Sequence, residues 1–388
     1  MSFYFDNAAT TFPKPECVYD FMNEFYRKNG GNAGRGQYKI VGESQKIIFE
    51  TRKNLQELLN CKNKDIIFTP TATIALNMII QGVLEKKEYE TMTVYISPFE
   101  HNSVTRVLHH FEEKGQIVVR ELFVNSSFEF DLEKIEFQFE KENPDFVIIS
   151  HASNVIGLIA PVLEIFSLAK KFECITLTDM AQTAALVPLD VGNDLIDFAV
   201  FEGHKTLYGP FGAAGFAKSK LVKLEPVLFG GTGIDSENQN MPDVIPEKYE
   251  MGSLNIHAIS GLYAATKWFL NNQDEIRSKE KENHHRLLEI LNEFDFIEII
   301  GPENRFCKKT ECIGVVSSIF EKYSPEEIGN VFDEKDVSVR TGLHCSPIAH
   351  KFLKTFPAGT VRFSVGYFTS EEDFDALTEA LEYIKRNI

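Results

Sequence analysis

The sequence predicts an α/β protein with a mostly parallel sheet and helices on both faces, followed by a smaller α+β domain. In the first two-thirds of the chain, short and almost continuously apolar runs alternate with helical patterns. This alternation is typical of buried parallel strands joined by crossover helices. Near residue 260 the pattern changes to one long helical stretch and then to a mixture of strands and helices. A chain of 388 residues is long enough for two such domains.

Five apolar runs predict strands of the first domain, at residues 65–69, 93–97, 145–150, 174–179 and 197–201. Helical patterns lie between them at 73–86, 102–115 and 161–172. The long helical stretch covers about 257–294, and the strands after it are predicted at 296–301, 313–320, 337–342 and 359–366, with helices at 324–332 and 370–387. The glycine-rich segment 229–244 is expected to form an ordered loop.

The composition excludes several classes of protein. A formal charge of −17 argues against non-specific binding of nucleic acid, which needs basic patches. No apolar run reaches 18 residues and the first residues lack a basic region before an apolar stretch, so we expect neither a membrane span nor a signal peptide. The six cysteines form no C-x-x-C pair, which disfavours a structural zinc site, and a reducing cytoplasm is the expected location; they are residues 17, 61, 174, 307, 312 and 345.

Candidate ligand contacts follow the predicted strands of the sheet at the ends where α/β proteins bind ligands. Taken singly, each has an ordinary explanation as a helix cap, a turn residue or a surface charge. Taken in chain order, they are Ala72 and Thr73, His101, Asn154, Asp179 with Gln182, and His204 with Lys205.

Together these residues match the needs of pyridoxal 5'-phosphate (PLP). Backbone N–H groups at the start of a helix suit a phosphate, and Lys205 can form a Schiff base with the aldehyde. A histidine can stack on the ring, and the carboxylate of Asp179 can keep the ring nitrogen protonated, so that the ring accepts electrons. The sequence therefore predicts a PLP pocket at the strand ends.

Nearly the whole chain resembles the class-V (fold type I) PLP enzymes, and among them the SufS-like cysteine desulfurases. The matching segments are YFDNAATTFPKP, TPTATIALN, EHNS, HASNVIG, TDMAQTA, GHKTLYGPFG, YEMGSLN, RTGLHCSP and TVRFSVGYF. The resemblance implies a large PLP-binding domain of residues 16–256 with a seven-stranded sheet. It also implies a small C-terminal domain of residues 257–388, with the N-terminal segment 1–15 at the entrance of the site.

The resemblance also implies roles for the residues at the strand ends. Lys205 forms the Schiff base and moves the proton of the substrate Cα, Asp179 pairs with the ring nitrogen, and His101 stacks on the ring. The expected contacts to the ring oxygen are Asn154 and Gln182. The expected contacts to the phosphate are Ala72, Thr73 and His204, with Ser253 reaching in from the second subunit of a homodimer.

Two further residues come from the small domain. Arg362 matches the arginine that binds the substrate carboxylate, with Asn154 nearby. Cys345 lies in a polar turn beside His344 and near Arg340, and positive neighbours favour a reactive thiolate. The implied reaction converts L-cysteine to L-alanine and leaves a persulfide on Cys345, to be passed to a sulfur-acceptor protein. A metal site at this turn has no recognised ligand spacing and is not expected.

Some positions depart from the pattern. Glu202 stands where many relatives have Ser or Thr, and Ala72 offers the phosphate only its N–H group. We expect the Glu202 carboxylate to turn away from the phosphate, because two anions repel. Alternatives are a selenocysteine lyase, a cysteine-sulfinate desulfinase, an aminotransferase, or a PLP fold that has lost catalysis and acts as a scaffold.

Overall fold

A seven-stranded sheet forms the centre of the fold in the computed structural model, which describes residues 3–34, 36, 38–85, 91–304 and 311–387. Its strands are β2 (Asp65–Thr69), β3 (Met92–Ile96), β4 (Ile117–Glu121), β5 (Phe146–Ser150), β6 (Ile175–Asp179), β7 (Phe198–Glu202) and β8 (Ala214–Lys218). They lie in the order β2-β8-β7-β6-β5-β3-β4, and β8 alone runs antiparallel to its neighbours. The predicted seven-stranded and mostly parallel sheet is confirmed.

Helices cover both faces of this sheet, as predicted. They are α1 (Glu16–Lys28), α2 (Lys39–Leu58), α3 (Ala72–Leu84), α4 (Asn102–Glu113), α5 (Leu132–Lys141), α6 (Val162–Ala169) and α7 (Ile256–Asn292). Successive strand residues point to opposite faces, so each face has its own core. Val94 and Ile148 pack with α3 and α4, whereas Tyr95 and Val147 pack on the side of α2, α6 and α7.

A second, antiparallel sheet follows α7 in the chain. Its strands lie in the order β12-β13-β10-β9, with the bounds β9 (Ile297–Ile300), β10 (Val315–Phe320), β12 (Arg340–Gly342) and β13 (Thr360–Ser364). The N-terminal strand β1 (Phe3–Tyr4) pairs in parallel with β11 (Val337–Ser338). The helices of this part are α8 (Pro325–Glu334), α9 (Pro347–Phe352) and α10 (Glu371–Asn387).

Helix α7 contributes to the cores of both parts. Phe269 packs beneath the seven-stranded sheet, whereas Leu287 and Leu291 belong to the core of the second sheet. The predicted domain boundaries after residues 15 and 256 therefore stay predictions. None of the helices that the structure describes combines the length and the apolar character needed to cross a membrane.

Some elements differ from those predicted. The strand predicted at 337–342 is divided into β11 and β12, and β4 and β8 have no predicted counterpart. β4 is a half-exposed edge strand that ends in charged residues, and β8 is rich in Ala and Gly, so neither has the composition typical of a buried strand. Lys86, the last residue of the helix predicted at 73–86, and Cys307 lie outside the described residues.

The turn after β7 packs closely against β8. A Cβ atom placed on Gly203 would lie 2.1 Å from the carbonyl oxygen of Ala213 and 3.4 Å from Leu262. The Gly203 N–H also donates to that carbonyl oxygen at 3.1 Å. Only glycine therefore allows this turn to approach the neighbouring strand.

We predict that Gly203→Ala destabilises the protein by about 1–3 kcal/mol, because the added methyl group forces the turn and β8 apart. Guanidinium unfolding measures the change. Gly42→Ala is the matched control, since Gly42 lies inside α2 and a Cβ there meets nothing within 4 Å. The control should be neutral or slightly more stable. Equal stability of Gly203→Ala and the parent would contradict the close packing described here.

Candidate active site

The carboxyl ends of β5, β6 and β7 and the N-termini of α3 and α4 enclose one cavity. It is lined by Ala72, Thr73, His101, Ser103, Ser150, Ala152, Asn154, Asp179, Ala181, Gln182, Glu202 and Lys205. The structure thus brings together most of the residues that the sequence analysis selected. His204, Ser253, Arg362 and Cys345 are not among the lining residues.

Lys205 lies in the turn after β7 and is half-buried in the cavity wall. Burial lowers the pKa of its ammonium, whereas the carboxyl groups of Asp179 and Glu202 favour the charged form. Within the described part of the chain, no hydrogen bond is found for its Nζ atom, while its carbonyl oxygen accepts one from the Thr11 hydroxyl at 3.0 Å. The backbone is therefore held while the amine stays available to a ligand.

Asp179 ends β6 and faces the same cavity. Its Oδ1 atom accepts a hydrogen bond from the Ala181 N–H at 2.9 Å. Burial raises the pKa of this carboxyl, and the Ala181 N–H and Lys205 oppose that rise. Oδ2 has no hydrogen-bond partner among the described residues, so this oxygen can accept a hydrogen bond from a ligand.

His101 is the N-cap residue of α4, and its ring orientation is fixed. Its Nδ1 atom accepts a hydrogen bond from the Ser103 N–H at 3.1 Å and lies 2.8 Å from the Ser103 hydroxyl. Burial, assisted by the charge of Lys205, lowers its pKa to about 4, so the ring is neutral near pH 7. A neutral ring whose Nε2 carries the proton suits stacking on an electron-poor ligand.

Glu100 was not predicted as a site residue, yet its hydrogen bonds hold the carboxyl end of β5 near the carboxyl end of β3. It accepts hydrogen bonds from Ser97 and from the N–H and hydroxyl groups of Ser150, at 2.6 and 2.7 Å. Burial raises its pKa from 4.5 to about 7, although these hydrogen bonds lower it. The only sign in the sequence was its position directly before His101.

The first turn of α3, the predicted phosphate site, already has two side-chain partners. The capping residue is Thr71, whose side chain accepts from the Ile74 N–H. The Glu202 carboxylate points toward this turn, and its Oε2 accepts from the Ala72 N–H at 2.8 Å. The expectation that Glu202 turns away is therefore wrong, because the helix N-terminus attracts a carboxylate.

His204 lies beside this turn, outside the cavity lining. Its Nε2 is 3.7 Å from Glu202 Oε1, and its ring stacks on Phe211 with a centroid distance of 4.2 Å. Burial lowers its pKa to about 3, so His204 is neutral. Its predicted phosphate contact stays a prediction.

Cys345 lies on a loop that is hydrogen-bonded to Asn154, a residue that lines the cavity. The Arg340 Nη2 atom donates to its Sγ at 3.1 Å, and its carbonyl oxygen accepts from the Asn102 N–H at 2.7 Å. The Asn154 side chain donates to the His344 carbonyl oxygen and accepts from the Ser346 hydroxyl, both at 2.8 Å. Asn154 thus joins the cavity to the two residues that flank Cys345.

Arg362 on β13 is buried beside Asn154. Its Nη1 donates to the Asn154 carbonyl oxygen at 2.9 Å, and its Nη2 pairs with Asp6 Oδ1 at 2.6 Å. Its Nε is buried without a hydrogen-bond partner among the described residues. A buried guanidinium with an unpaired donor fits a substrate carboxylate. Asp6, 356 residues away in the chain, was not predicted.

The remaining predicted residues have protein partners. The Gln182 side chain donates to the Ala8 carbonyl oxygen at 2.9 Å. Ser253 is exposed, accepts from the Asn32 amide at 2.8 Å and does not line the cavity of its own chain. His344 and His350 each contact a threonine hydroxyl, and no group of three metal-ligating side chains occurs within the described ranges.

We predict that Glu100→Gln removes a pH-dependent loss of stability. The folded state holds the Glu100 proton up to about pH 7, whereas the unfolded state loses it near pH 4.5, so the free energy of unfolding falls as the pH rises between these values. The neutral amide has no such loss. Between these pH values, the free energy of unfolding of the wild type should fall by about 3 kcal/mol relative to that of the variant.

Urea unfolding across this pH range measures the difference. Glu57→Gln is the matched control, because it removes a carboxylate at an exposed position of α2, and its free energy of unfolding should vary with pH as that of the wild type does. If the free energy of unfolding of Glu100→Gln also varied with pH as in the wild type, Glu100 would not hold its proton in the folded state.

Comparisons with known proteins agree with this fold. The sequence profile of the Aminotransferase class-V family matches residues 3–377. A "Probable cysteine desulfurase" of Methanothermobacter thermautotrophicus is 31% identical over 98% of this chain and 94% of its own, and one of Halalkalibacterium halodurans is 30% identical over 98% and 93%.

The solved apo structure of the cysteine desulfurase from Thermococcus onnurineus NA1 has a TM-score of 0.89 to this chain and 26% identity, covering 100% of this chain and 95% of its own. The predicted resemblance is confirmed at the level of the family, the fold and these relatives. The chain belongs to the class-V aminotransferase family.

Proposed function

We propose that this chain is a PLP-dependent cysteine desulfurase that converts L-cysteine to L-alanine and leaves a persulfide on Cys345. One observation carries the proposal: the loop that bears Cys345 is hydrogen-bonded through Asn154 to the cavity that contains Lys205 and Asp179. The names of the relatives support the same reaction.

The residues of the cavity fit PLP. The Lys205 amine has no hydrogen-bond partner among the described residues. The Asp179 carboxylate has one oxygen without such a partner there, and this oxygen can accept a hydrogen bond from the ring nitrogen. His101 is neutral and fixed by Ser103, as a stacking ring requires. The Thr73 side chain is exposed at the first turn of α3 and available to a phosphate. When bound, PLP supplies an electron sink for bonds broken at the substrate Cα.

The lowered pKa of Lys205 suits it to proton transfer. A neutral amine is the form that attacks a carbonyl carbon and that accepts a proton from the substrate Cα. Asp179 would keep a proton on the ring nitrogen of bound PLP, because an ion pair formed in a buried cavity is shielded from water. Arg362 binds the substrate carboxylate through its free Nε–H, while Asp6 and the Asn154 carbonyl hold the guanidinium in place.

Cys345 takes the sulfur. Its thiolate attacks the substrate sulfur, an S–S bond forms and the C–S bond breaks, leaving its electron pair on the substrate Cβ. That carbon takes a proton and becomes the methyl group of alanine, so the overall change is L-cysteine plus thiol to L-alanine plus persulfide. The Arg340 guanidinium at 3.1 Å stabilises the negative charge on the Cys345 sulfur before attack.

The same proposal includes a homodimer, a cytoplasmic location and a sulfur-acceptor protein. Ser253 is exposed and outside the cavity of its own chain, which is compatible with a contact to a partner's phosphate. Size-exclusion chromatography with light scattering tests the dimer. A persulfide must be handed on, and Cys345 is partly exposed, so an acceptor can reach it.

We predict that Cys345→Ser lowers alanine formation from L-cysteine by at least about 100-fold, because serine cannot take up the sulfur. Mass spectrometry of the wild type after incubation with cysteine should find one added sulfur atom on Cys345. Cys17→Ser is the matched control, because Cys17 is an exposed thiol on α1, and it should retain full activity.

Alanine formation at the wild-type rate by Cys345→Ser would contradict the persulfide mechanism. It would favour another class-V reaction, in which the substrate loses its sulfur or selenium group without attack by an enzyme thiol. The visible absorbance of bound PLP should be the same in both variants, so that a lost cofactor is not mistaken for a lost nucleophile.

A further inference from the structure

Glu202 occupies the place where the fold offers an anion site. It ends β7 and reaches the first turn of α3, a helix of 13 residues. Its Oε2 accepts the Ala72 N–H at 2.8 Å, one of the donors that a phosphate would use. In this structure the carboxylate itself is the anion at the helix N-terminus.

The second oxygen of Glu202 has no partner. The residue is only 6% exposed, and Oε1 is buried without a hydrogen-bond partner among the described residues. His204 Nε2 lies 3.7 Å away, too far for a hydrogen bond. Glu202 also lines the cavity, so an oxygen atom of a ligand can take the place of the missing partner.

The charges around Glu202 determine which protonation state it can hold. Lys205 and the N–H groups of Ala72 and Gly203 favour the carboxylate, whereas burial and Asp179 on β6 favour the protonated form. Burial dominates and raises the pKa of Glu202. His204, on the same turn, is neutral, and Lys14 beyond it has a pKa lowered by burial to about 7.

An ionised Glu202 and a phosphate cannot share the first turn of α3, because both are anions and both need the Ala72 N–H. A protonated carboxyl removes the repulsion and turns the unpaired oxygen into a donor. Its O–H group can then donate to a phosphate oxygen, as the hydroxyl of a serine or threonine would at this position.

We propose that Glu202 makes cofactor binding proton-coupled: the phosphate binds at α3 only when the Glu202 carboxyl carries a proton, which it donates to a phosphate oxygen. The inference rests on the proposed PLP dependence and adds a property of this chain's own residue. Glu202 is thus a residue that sets the pH range in which the protein keeps its cofactor.

The test measures binding of pyridoxamine 5'-phosphate to the apo form of the full chain. This compound carries the cofactor's phosphate but has no aldehyde, so it cannot condense with Lys205. Its dissociation constant is measured by fluorescence between about pH 5.5 and 8.5 for the wild type, Glu202→Gln and Glu202→Ser. The ratio of wild type to variant cancels the titration of the phosphate itself, whose second pKa is about 6.

Above the pKa of Glu202 in the apo protein, the complex holds one more proton than the free protein. The ratio of dissociation constants, wild type over Glu202→Gln, should therefore rise about tenfold for each pH unit and level off at lower pH. Glu202→Ser should behave like Glu202→Gln. Pyridoxamine, which lacks the phosphate, should show no such rise.

A ratio that stays constant across the pH range would overturn the inference, because binding would then leave the protonation of Glu202 unchanged. Thermal unfolding shows whether each variant is folded. If Glu202→Gln does not fold, Glu202→Ser takes its place in the comparison. Failure of every folded variant to bind either PLP or pyridoxamine 5'-phosphate would instead contradict the proposed cofactor, so the two failures can be told apart.

Discussion

The buried grouping of Lys205 with Asp179 and Glu202 is the arrangement on which the rest of the site depends. Parallel strands carry all three to one edge of the sheet, where water has little access. Burial lowers the pKa of the lysine and raises those of both acids. Unpaired buried charges are costly, so the opposite charges of the lysine and the two acids stabilise one another, while burial makes the neutral amine easier to form.

The second part of the site is tied to the first by hydrogen bonds across the chain. Asn154 bonds to both residues beside Cys345, and its carbonyl oxygen accepts from Arg362. Asp6 from the N-terminal segment completes the support of that arginine. The loop that bears Cys345, the proposed nucleophile, is therefore held by the segment after β5 of the first sheet, and the two sheets must keep their places for the proposed reaction.

Sequence reasoning found the residues whose roles follow from topology. Lys205, Asp179 and His101 each follow a strongly apolar strand, and parallel strands bring such positions together without further information. It missed contacts that only the folded chain creates. The pairing of Asp6 with Arg362 joins residues 356 positions apart, and the bonds of Glu100 join the ends of two strands.

Glu202 was recognised as a departure, but its direction was predicted wrongly. The sequence predicts repulsion between Glu202 and a phosphate, but it does not reveal the attraction of Glu202 to the free N–H groups of α3. The outcome depends on the competition for backbone donors at a helix N-terminus, which a linear pattern of residues does not determine.

The central claim is that Lys205 is the lysine that binds the cofactor, and one measurement tests it directly. PLP is added to the purified protein, the lysine adduct is reduced with borohydride, and the modified peptide is identified by mass spectrometry. Three other lysines have pKa values lowered by burial, Lys14 to about 7, Lys64 to about 8 and Lys218 as well, and thus also offer reactive amines. Modification confined to Lys205 is the predicted result, and modification of Lys14 or Lys64 with Lys205 left free would contradict the account.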